Sequence, residues 1–369
     1  MDTRRADLKT SRLPRLIAVN IFVFVFLLVI IEGSASYVLL IRDVMTTRTF
    51  AERGHTKYDS DLGWLNEPNA YIPNLYGPGI YFRTNAQGFR NDHDISPAVP
   101  ETKPRVICSG DSFALGYGVD NAHTWCELLS VLDPHMETVN MGQGGYGVDQ
   151  AYLWYKRDAA KIQHQVQLFA FITDDFYRPL RDSFKGYAKP ILEVENNLLV
   201  VKNVPVPSRD YYFPRLAESG RNLRSLRTVE FLTRVLRKTS ILTTDSMSQR
   251  ERDDHARIVL KKIFRDLKRL NGQRGSKLIL VYLPTKDELE GNSLQHSWTA
   301  PEEWNGFLEN EAEALHIPII STFREFRSLS RMAMLHLFIQ RGELPDPNAE
   351  GHFSNEGNEF VAKVLHEKL

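Results

Sequence analysis

The sequence predicts an α/β fold: a three-layer sandwich with a parallel sheet, an N-terminal transmembrane helix and an inserted cap. Three observations lead there. From residue 104 onward short apolar runs alternate with helical patterns, as in a parallel sheet covered on both faces. An apolar run from Leu16 to Ile41 follows a basic N-terminus. The strand–helix rhythm breaks between residues 177 and 250.

Arg4, Arg5, Lys9, Arg12 and Arg15 precede the apolar run, which only Asn20 interrupts before Glu32. Counted through Ile41 it exceeds the roughly 20 residues a helix needs to span a bilayer. Residues 1–15 then form a cytoplasmic tail, 16–41 the anchor, and the rest lies outside the cytoplasm by the positive-inside bias. A cleaved signal peptide is the rival, with Gly33-Ser34-Ala35 as its cleavage site. Glu32 sits near the outer end, at the interface or facing a partner helix.

Residues 42–103 read as a tether and packing segment. They are rich in turn formers, and Trp64, Tyr71, Tyr76, Phe82 and Phe89 suggest packing on a domain. Arg105 to Cys108 is a buried strand and Thr124 to Leu132 a helix. Thr138 to Asn140 is a strand edge, Asp149 to Lys161 a helix, and Gln167 to Ile172 a strand. Ile191 to Val201 resembles a hairpin turning at Asn196-Asn197. The surrounding insertion, 177–250, is a candidate lid beside the sheet's C-terminal edge. Its basic run, Arg221 to Arg237, reads as a solvated helix face. Asp253 to Leu270 is an amphipathic helix stopped by Asn271-Gly272. Lys277 to Leu283 is a strand, Pro301 to Leu315 a helix and Ile317 to Ile320 a strand. Glu356 to Glu367 is a terminal helix with Ser354 near its N-cap.

Composition narrows the function. Lys+Arg and Asp+Glu number 46 each in 369 residues, so no basic excess points to nucleic acid. Two cysteines exclude a disulfide-built scaffold and multi-cysteine metal sites. Cys108 and Cys126 read as packed thiols rather than a disulfide.

Three motifs carry chemistry. Val106 to Phe113 runs from a strand into Ser109-Gly110-Asp111-Ser112, which places a serine at the strand's C-terminal end. Such a hydroxyl needs a base to become a nucleophile. Asn140 to Gly147 holds four glycines directly after a strand, and backbone N–H groups there can approach an oxyanion closely. Glu350-Gly351-His352 stands just before the last helix. The carboxylate can orient the imidazole through one nitrogen while the other acts as base. Taken singly, these motifs also fit a turn serine, a glycine-rich loop and a surface histidine.

Together, in the order Ser, Gly, His, they resemble the SGNH/GDSL hydrolases, in particular membrane-anchored bacterial members. The resemblance covers residues from about Arg105 to the end, apart from the insertion. It implies a flavodoxin-like three-layer sandwich and a serine esterase needing no cofactor or metal. Carried over, Ser112 is the nucleophile, Gly145 lends an oxyanion N–H and His352 is the base. Two positions depart from the family pattern. Asp174 stands where the family has an oxyanion-hole asparagine, and an ionised carboxylate cannot donate; either it is held protonated, or the hole relies on the Ser112 and Gly145 backbone groups, or the protein is weakened. The position three before His352 is Ala349. Glu350 fits the acid's role by the shorter spacing of alginate-acetylation-type members, with Asp346 in reserve and a catalytic dyad without an acid as the alternative.

The reading is a single-pass esterase of the inner (cytoplasmic) membrane, its catalytic domain on the periplasmic or extracellular side. Its substrate is an acyl ester, on a polysaccharide or a lipid. O-acyl transfer on a surface polysaccharide and a degenerate envelope binding or assembly protein are the alternatives.

Overall fold

The computed structural model describes residues 12–46, 55–99, 103–185, 187–207, 226–238, 247–291 and 300–369. The chain divides into two compact units, residues 1–49 with 210–246 and residues 50–209 with 247–369.

The larger unit is built on five parallel strands: β1 (Arg105–Gly110), β2 (Glu137–Gly142), β3 (Val166–Phe171), β4 (Lys277–Tyr282) and β5 (Ile319–Ser321). Their order is β5-β4-β3-β1-β2, and every ladder is parallel. This is the doubly wound, flavodoxin-like order, in which ligands bind where the winding reverses, here between β1 and β3. Successive side chains on each strand point to opposite faces. Ile107, Phe169, Phe171, Leu278 and Leu280 pack into one core, and Val106, Cys108, Leu168, Ala170, Ile279 and Val281 into another. Both faces are buried, so the strands read as unbroken apolar runs.

Helices cover each face. The first core takes Trp154 and Tyr155, with Leu260, Ile263, Phe264 and Leu267. The second takes Trp125 and Leu129, with Val361, Ala362 and Leu365. The predicted helices are present with shifted ends. The helix expected to stop at Asn271-Gly272 runs from Gln249 to Arg274. It opens on a capping box between Ser248 and Glu251 and ends only at Gly275, in the left-handed region at φ +70°. The side-chain amide of Asn271 donates to the Leu267 carbonyl at 2.9 Å, so this pair does not break the helix.

Residues 55–99 form hairpins, Thr56–Asp59 with Gly63–Asn66 and Tyr71–Gly77 with Ile80–Arg83; Trp64, Tyr76, Phe82 and Phe89 are buried, whereas Tyr71 is exposed. In the insertion, Ile191–Glu195 pairs with Leu198–Lys202 around Asn196 and Asn197, both at positive φ. A shorter hairpin, Ser183–Phe184 with Tyr187–Ala188, precedes it. The rest of the proposed lid, 208–225 and 239–246, lies outside the described residues, as do residues 1–11 of the tail.

In the smaller unit a helix runs from Arg12 to Thr46. Its stretch Pro14–Leu39 is long and apolar enough to cross a membrane, a property a signal sequence shares. Glu32 faces a second helix, Arg227–Lys238. The Arg227 and Thr228 N–H groups donate to its carboxylate at 2.6 and 3.0 Å, and the Thr228 hydroxyl at 2.6 Å. The side chain thus caps a helix N-terminus.

Candidate active site

Ser112 opens a one-turn helix, Ser112–Leu115, directly after β1. Asp111 caps it by accepting from the Phe113 N–H at 2.9 Å. Two glycines permit the tight turn. A Cβ on Gly110 would lie 2.5 Å from the Ala170 carbonyl oxygen, and one on Gly142 would lie 2.0 Å from the Leu115 nitrogen. The buried Arg90 then clamps the following loop. Its guanidinium donates to the carbonyls of Leu115, Gly116 and Val119 at 2.5–2.8 Å.

The structure brings Ser112 and His352 together across 240 residues, with Oγ and Nε2 2.9 Å apart. Burial pushes the imidazole down to about 4, with the charges of Arg178 and Lys185 adding to it; the Ala349 carbonyl and Asp346 oppose. The ring is therefore neutral at pH 7. With its proton on Nδ1, Nε2 accepts from the serine hydroxyl.

Gly145 lies in the turn after β2, in the left-handed region at φ +79°. β2 pairs in register with β1, Gly142 opposite Gly110, so the glycine turn and the serine turn leave the sheet side by side. Neither the Ser112 nor the Gly145 N–H donates to a backbone carbonyl among the described residues. Phe184 covers the glycine turn; a Cβ on Gly145 would lie 2.7 Å from its ring.

Two expected roles meet a different geometry. The Asp174 Oδ2 accepts from Arg178 Nη2 and Nε at 2.7 and 3.1 Å, with the side chain one-third exposed. Arg178 also lies 2.8 Å from Asp175 and 4.0 Å from Asp111. Burial and the neighbouring Asp111 push the Asp175 carboxyl up, against the pull of Arg178. Burial pushes Asp111 up to about 6, again against Arg178. A carboxylate next to this arginine finds a cation four residues along the chain, which outweighs a place beside a developing oxyanion. Glu350 is exposed and makes no hydrogen bond to His352. Gly351, in the left-handed region at φ +82°, separates the two residues, and His352 Nδ1 is buried without a hydrogen-bond partner among the described residues. Asp346 is buried and accepts from the Tyr117 hydroxyl at 2.7 Å.

Cys108 and Cys126, expected as packed thiols, form a disulfide with Cα atoms 6.1 Å apart. It ties β1 to the helix Trp125–Leu132. Sequence reasoning also missed the ring neighbours of His352, Phe113 and Tyr117, each with its centroid 4.9 Å from the imidazole. Neither carries a motif of its own. Among the described residues three or more His, Cys, Asp or Glu nowhere gather as a metal site. Clefts of about 470 and 460 Å³, one beside Tyr71 and Arg83 and one beside His164 and Arg274, are lined by neither Ser112 nor His352.

No protein-family model matches the chain, and no curated protein does. Among solved structures it is similar to a member of the lipolytic G-D-S-L family from Veillonella parvula, at 13% identity and TM-score 0.37, over 71% of this chain and 96% of that one. It is similar to a GDSL-like lipase from Bacteroides thetaiotaomicron, at 12% identity and TM-score 0.36, over 74% and 91%. A lipase/acylhydrolase from Enterococcus faecalis is similar at 10% identity and TM-score 0.37, over 72% and 94%. At such TM-scores these likenesses carry no argument about chemistry, and the assignment of roles rests on the side chains.

Proposed function

We propose that the chain is a serine ester hydrolase of the SGNH/GDSL type, anchored in a membrane and acting outside the cytoplasm. The observation that carries this reading is the 2.9 Å contact between Ser112 Oγ and His352 Nε2 at the winding reversal of a parallel sheet.

Ser112 Oγ attacks the carbonyl carbon of an acyl ester while its proton passes to His352 Nε2. The Ser112 and Gly145 N–H groups stabilise the oxyanion. Collapse of the tetrahedral intermediate expels the alcohol, which takes the proton from Nε2. Water, deprotonated by the same nitrogen, then attacks the acyl-enzyme; the bond to Ser112 Oγ breaks, Nε2 returns its proton to Oγ, and the acid leaves. The hydrophobic helix at Pro14–Leu39 supports the anchor. The buried Cys108–Cys126 disulfide favours an oxidising compartment. O-acyl transfer to a polysaccharide uses the same site with a sugar hydroxyl in place of water.

The test is labelling of the full chain in detergent with a fluorophosphonate probe. Wild type is expected to label and Ser112→Ala to stay unlabelled. Equal labelling of both would remove Ser112 as nucleophile. A wild type that neither labels nor hydrolyses p-nitrophenyl acetate would favour the degenerate binding-protein reading.

A further inference from the structure

The base His352 lacks the directly bonded acid that usually holds a catalytic imidazole: no carboxylate among the described residues bonds its buried Nδ1, and, Ser112 aside, only the Ala349 backbone acts on the ring as a hydrogen-bonding group. The buried Asp346 is engaged otherwise. Its Oδ1 accepts from the backbone and side-chain N–H groups of Asn348 at 3.1 and 3.0 Å, and its Oδ2 accepts from the Tyr117 hydroxyl at 2.7 Å. Tyr117 is nearly fully buried. Its ring packs on Tyr76 at 4.6 Å and on His352 at 4.9 Å, tilted 33°. Phe113 flanks the same imidazole at 4.9 Å and 32°. The charged groups acting on the imidazole are Arg178, Lys185 and Asp346.

We propose that Tyr117, pinned by Asp346, is the positioning residue for His352 and divides the work of a triad acid. The Tyr117 and Phe113 rings fix the imidazole plane, so that Nε2 stays aimed at Ser112. The carboxylate polarises the phenol, and the electron-rich ring face attracts the imidazolium formed when Ser112 gives up its proton. The charge of Asp346 thus reaches the base through an aromatic ring instead of a hydrogen bond to Nδ1. The proposal rests on the reading of Ser112 and His352 as nucleophile and base.

The test is a double-mutant cycle in the full chain, with p-nitrophenyl acetate hydrolysis as the kinetic readout. A second readout, ¹⁵N imidazole shifts at pH 7, needs no turnover. Tyr117→Phe and Asp346→Asn are each expected to lower kcat by about threefold with KM held, a part of a cation–π contact, since both variants keep the ring and lose only its polarisation. The double variant is expected to be no slower than either single one. Tyr117→Leu, which removes the ring, is expected to cost about a hundredfold, the scale of a misplaced base, and to mix the two imidazole tautomers. Independent, multiplying losses from Tyr117→Phe and Asp346→Asn would overturn the proposal, because Asp346 would then act without Tyr117. Wild-type imidazole shifts in Tyr117→Leu would also overturn it. Should Tyr117→Leu fail to fold, the two near-isosteric variants decide by themselves. A wild type without turnover or labelling would sink the hydrolase reading, while the imidazole shifts would still test the positioning role.

Discussion

The charges around Ser112 make opposite demands on pH. His352, pushed down to about 4, stays neutral in the folded chain while the unfolded chain takes up a proton below about 6.5. Its contribution to stability is therefore lost as pH falls from about 6.5 through 4. Asp111, pushed up to about 6, works the other way. The folded chain binds its proton before the unfolded chain does, so stability rises as pH falls from about 6 towards 4. Asp111→Asn keeps the helix cap and removes that second contribution. The melting temperature of Asp111→Asn minus that of wild type should therefore decrease as pH falls from 6.5 to 4. A difference that stays flat would show that Asp111 does not titrate in that window. On the kinetic side, the acid limb of kcat/KM should lie near pH 4, well below that of an ordinary histidine. Asp174→Asn should not raise turnover, because the side chain is paired with Arg178. It should cost about 1–2 kcal/mol of stability, the scale of a charged hydrogen bond, read by denaturant unfolding. Faster turnover in this variant would return Asp174 to the oxyanion site.

At the scale of elements, the serine turn depends on groups far from it in sequence. Gly142 belongs to β2, yet a Cβ there would meet the Leu115 backbone at 2.0 Å. Gly142→Ala should therefore cost roughly 3 kcal/mol or more, through a backbone clash that no rotamer change relieves. An unchanged melting temperature would mean that the two turns are not packed as described. In the smaller unit, Glu32→Leu removes the cap of the helix Arg227–Lys238. Hydrogen exchange across residues 226–238 should quicken in the full chain in lipid nanodiscs, while exchange in the sheet stays the same. Unchanged protection of that helix would show that Glu32 does not hold it.

For the whole molecule, the disulfide and the apolar helix bear on the same question of compartment. Cys108 and Cys126 are 18 residues apart, and closing such a loop stabilises by about 3 kcal/mol in the chain-entropy account. Replacing both by alanine should lower stability by that order, measured in oxidising buffer, and make it indifferent to reductant. A double variant as stable as wild type would argue against the bond. A periplasm-active reporter fused after Leu369 should be active, and a reporter active only in the cytoplasm silent; the reverse pattern would overturn the topology.

What the sequence by itself determined is what depends on neighbouring residues. Strand against helix followed from short unbroken apolar runs on the one hand and an apolar stripe recurring every 3.6 residues on the other. The N-terminal helix followed from a long apolar run behind a basic flank. The hairpin turn at Asn196-Asn197 followed from two residues that tolerate positive φ. Ser112, Gly145 and His352 stood out because turn residues flank each. Tertiary structure alone decided which groups answer one another across the fold. Whether Asp174 donates or pairs depends on where Arg178 swings, and whether Cys108 meets Cys126 depends on how a helix lies on β1. Glu350 is near His352 in sequence, but the backbone around Gly351 leaves it in solvent, while Asp346 is buried against a tyrosine 229 residues away. Burial and long-range partners set these pairings and the protonation states that go with them, and neither is written in local spacing.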